Sequence, residues 1–246
     1  MVWFLWFVLK RRCDDINVLG MGMGLVGIGF QVSEAKSWMK DVLRVGTSDR
    51  SGELIELGAV TLMVPGNLPI GCSSSYLTLV KGSNKEEYGP EIGCLTWLNK
   101  FAEYHNELLR IELNQMQQRN PHTTIIYADY YNTAMQLYRS PKNFGFTRGA
   151  LSACYGGGGS YNYNPLVQCG ILPSTVSGEP SLFIFWDGLH LTEATYRWIF
   201  RGLFEGPYTV PHISSPVWLK SKNCLKSVQY IVHSIVLLLL FVSRAI

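Results

Sequence analysis

Between residues 53 and 209 the apolar and polar positions fall into blocks that predict strands and helices in turn. Glu53-Leu54-Ile55-Glu56-Leu57 reads as the end of a helix closed by Gly58. Ala59 to Val64 is a nearly unbroken apolar run, the pattern of a strand buried on both faces of a parallel sheet. Pro65-Gly66 ends it with a turn. From Leu95 to Gln118, helical spacing puts Leu98, Phe101, Ala102, Leu108, Leu109, Ile111 and Met116 mostly on one stripe, and Asn120-Pro121 stops the helix. Thr123 to Ala128 predicts a second strand, with Asp129 at its carboxyl end and Asn132 as the cap of a short helix. Gly145 to Gly170 is a loop rich in Gly, Tyr and Asn. Leu182 to Trp186 predicts a last short strand, and Thr192 caps a helix running to about Leu203. This alternation predicts an α/β layered fold with a parallel sheet.

The flanks lack such a pattern. Gly22, Gly24 and Gly27 fit G-x-G-x-x-G, but a dinucleotide-binding turn needs a strand before it, and Cys13 to Asn17 is a poor one. A flexible or close-packed glycine segment is the expectation. Residues 1–12 put an apolar run ahead of Lys10-Arg11-Arg12, the reverse of a secretory signal, so no signal peptide is expected there. Tyr230 to Val242 is apolar apart from His233 and Ser234, but thirteen residues fall short of the ~20 of a membrane span. With Ser214-Ser215 and a polar spacer this tail faintly suggests a lipid-anchor signal, which makes membrane contact its lesser reading. An unstructured terminus is preferred.

Composition narrows the classes. With 246 residues, 47% apolar and 16% charged, the chain can form one α/β domain with a sizeable core and does not look disordered. The net charge of +3 is small, and much of the positive charge sits near the ends (Lys10, Arg11, Arg12, Lys220, Lys222, Lys226). No basic face for nucleic acid is implied. Among Cys13, Cys72, Cys94, Cys154, Cys169 and Cys224 there is no C-x-x-C pair, so no metal is expected. The middle four either form two disulfides in an oxidising compartment or remain small buried thiols; both readings stay open.

The candidate chemistry lies in Phe185-Trp186-Asp187-Gly188-Leu189-His190-Leu191-Thr192-Glu193-Ala194. Active residues of α/β folds gather where a strand hands over to a helix, and Asp187 and His190 occupy that place. A carboxylate three positions before a histidine can orient the ring, fix its tautomer and stabilise it once protonated, which is two-thirds of an acyl-transfer triad. The remaining third, a serine in a G-x-S-x-G elbow, is not found. Asp129 reads as a strand-end turn or cap residue rather than a second acid. His105 and Asn106 read as packing or solvent contacts. Tyr155, Tyr161 and Tyr163 border a substrate pocket or simply pack within their loop.

Several phrases, in order, resemble the carboxyl-terminal half of the plant GDSL esterase/lipases, within the SGNH hydrolases. They are Leu54-Ile55-Glu56-Leu57-Gly58-Ala59-Val60, Val64-Pro65-Gly66-Asn67-Leu68-Pro69-Ile70-Gly71-Cys72 and Asn99-Lys100-Phe101-Ala102-Glu103-Tyr104-His105-Asn106. Ile126-Tyr127-Ala128-Asp129-Tyr130-Tyr131, Ala153-Cys154 with its glycine run, and the phrase from Trp186 to Ala194 follow. The resemblance implies a three-layer α/β/α sandwich with a parallel sheet, incomplete at its amino-terminal side, and hydrolysis of carboxylic esters without a cofactor. It also implies a secreted protein. It carries the roles of activating base and supporting carboxylate onto His190 and Asp187. A small-molecule ester is the implied partner: an acyl lipid, an acetylated sugar or a phenolic ester.

Departures from the family pattern set further expectations. No Gly-Asp-Ser occurs, and Gly46-Thr47-Ser48, just before the helix leading to the Ala59 strand, is rejected as the nucleophile. Leu25 to Gln31 echoes the family's oxyanion segment, but Phe30-Gln31 stands where Asn-Asp belongs. The resemblance further leaves Cys72–Cys94 and Cys154–Cys169 as candidate bridges. Residues 1–52 are expected to be a divergent segment, 53–209 the partial hydrolase domain and 210–246 a divergent tail. The alternative to an ester hydrolase is a truncated, catalytically inactive homologue that acts as a binding protein.

Overall fold

The computed structural model describes residues 2–9, 16–24, 50–80, 85–167 and 172–213. In chain order its main elements are β1 (Val2–Leu9), β2 (Ile16–Gly24), α1 (Arg50–Glu56), β3 (Thr61–Pro65), α2 (Ser74–Leu79), α3 (Thr96–Arg119) and β4 (Thr124–Ala128). They continue with α4 (Tyr130–Arg139), the two-residue strands β5 (Tyr155–Gly156) and β6 (Thr175–Val176), α5 (Glu193–Phe204) and β7 (Thr209–Val210).

One five-stranded sheet has the order β2-β1-β3-β4-β7. Its centre is the predicted parallel pair, β3 on β4, in register from Thr61 opposite Thr124 to Pro65 opposite Ala128. The remaining pairings are antiparallel, β1 with both β2 and β3, and β7 with β4. The sheet is therefore mixed, which corrects the expectation of a wholly parallel one. A parallel neighbour needs a crossover connection, such as the one containing α3 between β3 and β4, whereas an antiparallel neighbour does not. Gly22 and Gly24 lie within β2 rather than in a turn entering a helix, while Gly27 falls outside the described residues.

The central pair is covered on both faces, and the two-residue repeat of a strand decides which side chain goes where. Val64, Ile125 and Tyr127 pack with Phe101, Leu109, Leu113 and Met116 of α3. Met63, Ile126 and Ala128 pack instead with Tyr131, Ala134, Leu137 and Tyr138 of α4 and with Ile199 and Leu203 of α5. Within α3 the stripe holds for Leu98, Phe101, Ala102, Leu109 and Met116, but Ile111 is 46% exposed. Asn99 and Asn106 replace it on the buried side. They lie on the same stripe as Ala102 and Leu109 because positions seven apart share a helix face.

The chain leaving β3 is held by those two asparagines. Asn106 Oδ1 accepts from the Asn67 amide at 2.5 Å, and Asn106 Nδ2 donates to the Asn67 carbonyl at 3.0 Å. Asn99 Oδ1 accepts from the Gly71 amide at 2.8 Å. The Cys72–Cys94 disulfide then ties this loop to the segment entering α3. Cys154, by contrast, is a free buried thiol, which corrects the pairing with Cys169; Cys169 itself lies outside the described residues.

Two local expectations also change. Asn132 does not cap α4: Asp129 does, accepting from the Asn132 amide at 3.0 Å and from its side-chain amide at 2.7 Å. Leu182 to Trp186 is not a strand. Pro180–Leu182 is a 3-10 turn, and Phe185 makes single bridges to Ala153 and Leu191. Its neighbours spend their backbone groups on several partners instead of one ladder. The Ile184 carbonyl accepts from the Thr192 amide, the Phe185 carbonyl from the Cys154 amide and the Trp186 carbonyl from the Tyr155 amide. No helix among the described residues is long and apolar enough to cross a membrane.

Candidate active site

The stretch from Ile184 to Thr195 folds back on itself before α5 begins. The Trp186 amide donates to the His190 carbonyl at 2.8 Å, closing the turn that contains both candidate residues. Downstream, the Thr192 hydroxyl donates to the Phe183 carbonyl at 2.8 Å and its oxygen accepts from the Thr195 amide, capping α5. The turn is thus pinned at its base and at its exit.

Within it, Asp187 makes three contacts. Its Oδ2 lies 2.7 Å from His190 Nδ1. Its Oδ1 accepts from the Leu189 amide at 2.8 Å and from the His190 amide at 2.6 Å. The two side chains are largely covered, 17% exposed for Asp187 and 22% for His190. Burial pushes the Asp187 carboxyl up, but the His190 ring and the His190 and Leu189 amides outweigh it and hold the group below the usual carboxylate range. An ionised carboxylate at Nδ1 leaves Nε2 as the atom able to exchange a proton with a substrate or a nucleophile.

Aromatic rings surround the turn. Tyr155 meets Trp186 edge-on with ring centroids 5.7 Å apart. Tyr163 lies against Gly188 so closely that a Cβ there would run into its ring. Behind the turn, burial pushes the Tyr196 phenol up to about 12; the Leu191 amide opposes this and the Asp187 charge adds to it. Tyr161 packs elsewhere, against Leu77, Leu95 and Leu98. Two of the three loop tyrosines named from sequence are therefore at the turn.

The structure adds residues that the sequence reading passed over. Ser73 Oγ donates to the Gly188 carbonyl at 2.7 Å, and the Ser75 amide donates to the same oxygen at 2.9 Å. Ser74 Oγ donates to the Leu151 carbonyl at 2.7 Å, linking the same segment to the glycine-rich loop. Three consecutive serines at the start of α2 carry no periodic signal, so only the fold reveals their targets. Asp129 and His105 stand apart from the turn: Asp129 is the α4 cap, and His105 is buried with Nδ1 3.1 Å from Asn106 Oδ1. A groove of about 380 Å³ opens between α3 and the start of α4, lined by Glu103, Glu107, Arg110 and Asp129 among others; neither Asp187 nor His190 lines it. Among the described residues no group of three or more His, Cys, Asp or Glu is placed to hold a metal.

A largely buried carboxylate bound to one imidazole nitrogen, at the entrance to a helix beside an α/β core, can orient that ring and stabilise it once protonated. Comparison with known proteins supplies the family. The model of the family described as GDSL-like Lipase/Acylhydrolase matches residues 40–203, and the chain belongs to this family. It is 49% identical over 175 residues to GDSL esterase/lipase At1g28610 of Arabidopsis thaliana, covering 71% of this chain and 45% of that protein. It is 52% identical over 159 residues to GDSL esterase/lipase At1g28590 of the same plant, covering 65% and 40% respectively. Sinapine esterase of Brassica napus is 43% identical over 164 residues, covering 67% of this chain and 42% of that protein. The chain spans less than half the length of each of these relatives.

Proposed function

We propose that this chain carries the acid–base arm of a carboxylic ester hydrolase, with His190 as general base and then general acid, and Asp187 as the group that orients and stabilises it. The observation that carries this reading is the 2.7 Å contact between Asp187 Oδ2 and His190 Nδ1 in a family member. In such a mechanism Nε2 takes the proton from a serine hydroxyl as its oxygen attacks the ester carbonyl. The same nitrogen then returns the proton to the departing alkoxide, leaving an acyl-serine. A water molecule, deprotonated by the same histidine, cleaves the acyl-serine to release the acid, and the proton passes from the ring to the departing serine oxygen. The reaction needs no cofactor.

The same reading takes residues 53–209 as the hydrolase domain and the helices on both faces of β3 and β4 as two outer layers of a three-layer sandwich. The Cys72–Cys94 disulfide favours an oxidising compartment, in keeping with secretion. The substrate is a small-molecule ester: an acyl lipid, an acetylated sugar or, as the name of the Brassica relative points out for that protein, a phenolic ester of the sinapine type. A second reading is a binding protein without turnover. It is favoured by one specific observation, that Phe30-Gln31 stands where the family has Asn-Asp. Losing even one oxyanion donor costs about 10²–10³ in rate.

The test is a short-chain p-nitrophenyl ester assay combined with fluorophosphonate labelling, on this chain and on His190→Ala. Hydrolysis and labelling that both depend on His190 support the hydrolase. Ester binding by calorimetry with neither labelling nor turnover selects the binding protein.

A further inference from the structure

The Gly188–Leu189 peptide bond joins two sets of contacts that have so far been described separately. Its carbonyl, on Gly188, receives the Ser73 hydroxyl at 2.7 Å and the Ser75 amide at 2.9 Å. Its N–H, on Leu189, donates to Asp187 Oδ1 at 2.8 Å. A trans peptide is a rigid plane in which C=O and N–H point in opposite directions. Whatever fixes the carbonyl end therefore fixes the direction of the N–H, and with it the carboxylate that the N–H holds. The other oxygen of that carboxylate is the one on His190.

The serine end is itself well anchored. Ser73 and Ser75 are 4% and 8% exposed, and their hydroxyls lie 2.8 Å apart. The preceding residue, Cys72, is bonded to Cys94, and Gly71 is held by Asn99 and by the Leu95 amide. On the opposite side, Tyr163 fills the space that a side chain at position 188 would need.

The geometry points to Ser73, seconded by Ser75, as a positioning residue for the Asp187–His190 pair, acting through the Gly188–Leu189 peptide plane. Ser73 is not a nucleophile in this arrangement, because its hydroxyl proton is committed to the Gly188 carbonyl. The inference rests on the reading of Asp187 and His190 as an acid–base pair, and it adds where that pair gets its alignment.

Nuclear magnetic resonance of the histidine rings in the full chain tests it. The wild type is compared with Ser73→Ala, Ser73→Thr and Asp187→Asn, with the His190 signal assigned from its loss in His190→Gln. Without the brace, the carboxylate drifts from Nδ1 and the bond between them lengthens. The expected result is a far-downfield Nδ1–H proton signal of His190 in the wild type that moves upfield or is lost to exchange in Ser73→Ala, returns in Ser73→Thr and is lost in Asp187→Asn. An unchanged signal in Ser73→Ala, alongside a lost one in Asp187→Asn, overturns the positioning role while sparing the acid–base pair. An unchanged signal in both overturns the pair, and the brace with it. Should Ser73→Ala not fold, Ser73→Cys keeps nearly the same volume with a much weaker donor and is judged by the same readout: the same change supports the brace and no change overturns it.

Discussion

At the scale of single residues, three groups have a chemistry set by what touches them. Asp187 is kept ionised by its ring partner and two amides despite being buried. In a protein with turnover, Asp187→Asn would favour the wrong imidazole tautomer and reduce kcat by about 10⁴ with little change in KM, read from initial rates on a p-nitrophenyl ester. Gly188 has no room for a methyl group because the Tyr163 ring occupies it. Gly188→Ala is expected to destabilise by about 1–3 kcal/mol in urea denaturation, and Tyr163→Ala in the same chain should recover much of that loss. Cys154 is a buried thiol whose ionisation burial disfavours. Iodoacetamide should leave it unmodified in the native protein and alkylate it in urea, as read by peptide mass spectrometry.

At the scale of elements, what the sequence revealed depended on whether one stretch of chain settled its own contacts. β3, β4, α3 and α5 were legible because an apolar run or a helical stripe meets a single layer of core. The Thr192 cap was legible for the same reason, since its partner Thr195 lies one turn away. The segment Leu182–Trp186 was not, because its apolar residues look like a strand while its backbone bonds go to Cys154, Tyr155, His190 and Thr192. Asn99 and Asn106 show the opposite failure. Polar residues on a buried stripe mark clamps on a distant loop, and nothing local says which loop. The Asp187–His190 contact was legible from its spacing, whereas its attachment to Ser73, 115 positions from Gly188, was not. Replacing Leu109, which is fully buried between α3 and the sheet, by Ala should cost about 2–5 kcal/mol in chemical denaturation.

At the scale of the whole molecule, acid acts on two buried groups in the same direction. The Asp187 carboxyl sits below its ordinary range in the fold, so its contribution is complete above about pH 4 and disappears as pH falls through the folded value. Burial lowers His105 below the ordinary histidine value, a shift that its bond to Asn106 only partly opposes. The unfolded chain therefore takes up a proton below about pH 6.5 that the folded protein resists, and stability falls with pH there too. Urea midpoints measured from pH 7 to pH 3 should decline in two steps. His105→Gln should flatten the upper step and Asp187→Asn the lower.

The parallel pairing of β3 with β4 has a kinetic consequence. Thr61 and Thr124 are neighbours in the sheet, yet α3 and the disulfide-closed loop lie between them in the chain. The ends must be brought together before that pairing repays the lost chain freedom, so residues 59–128 form the costly closure on the way to the native state. Leu109→Ala should therefore act mainly by slowing refolding, whereas a substitution at Thr209 in the edge strand β7 should mainly hasten unfolding. Stopped-flow refolding and unfolding arms would separate the two.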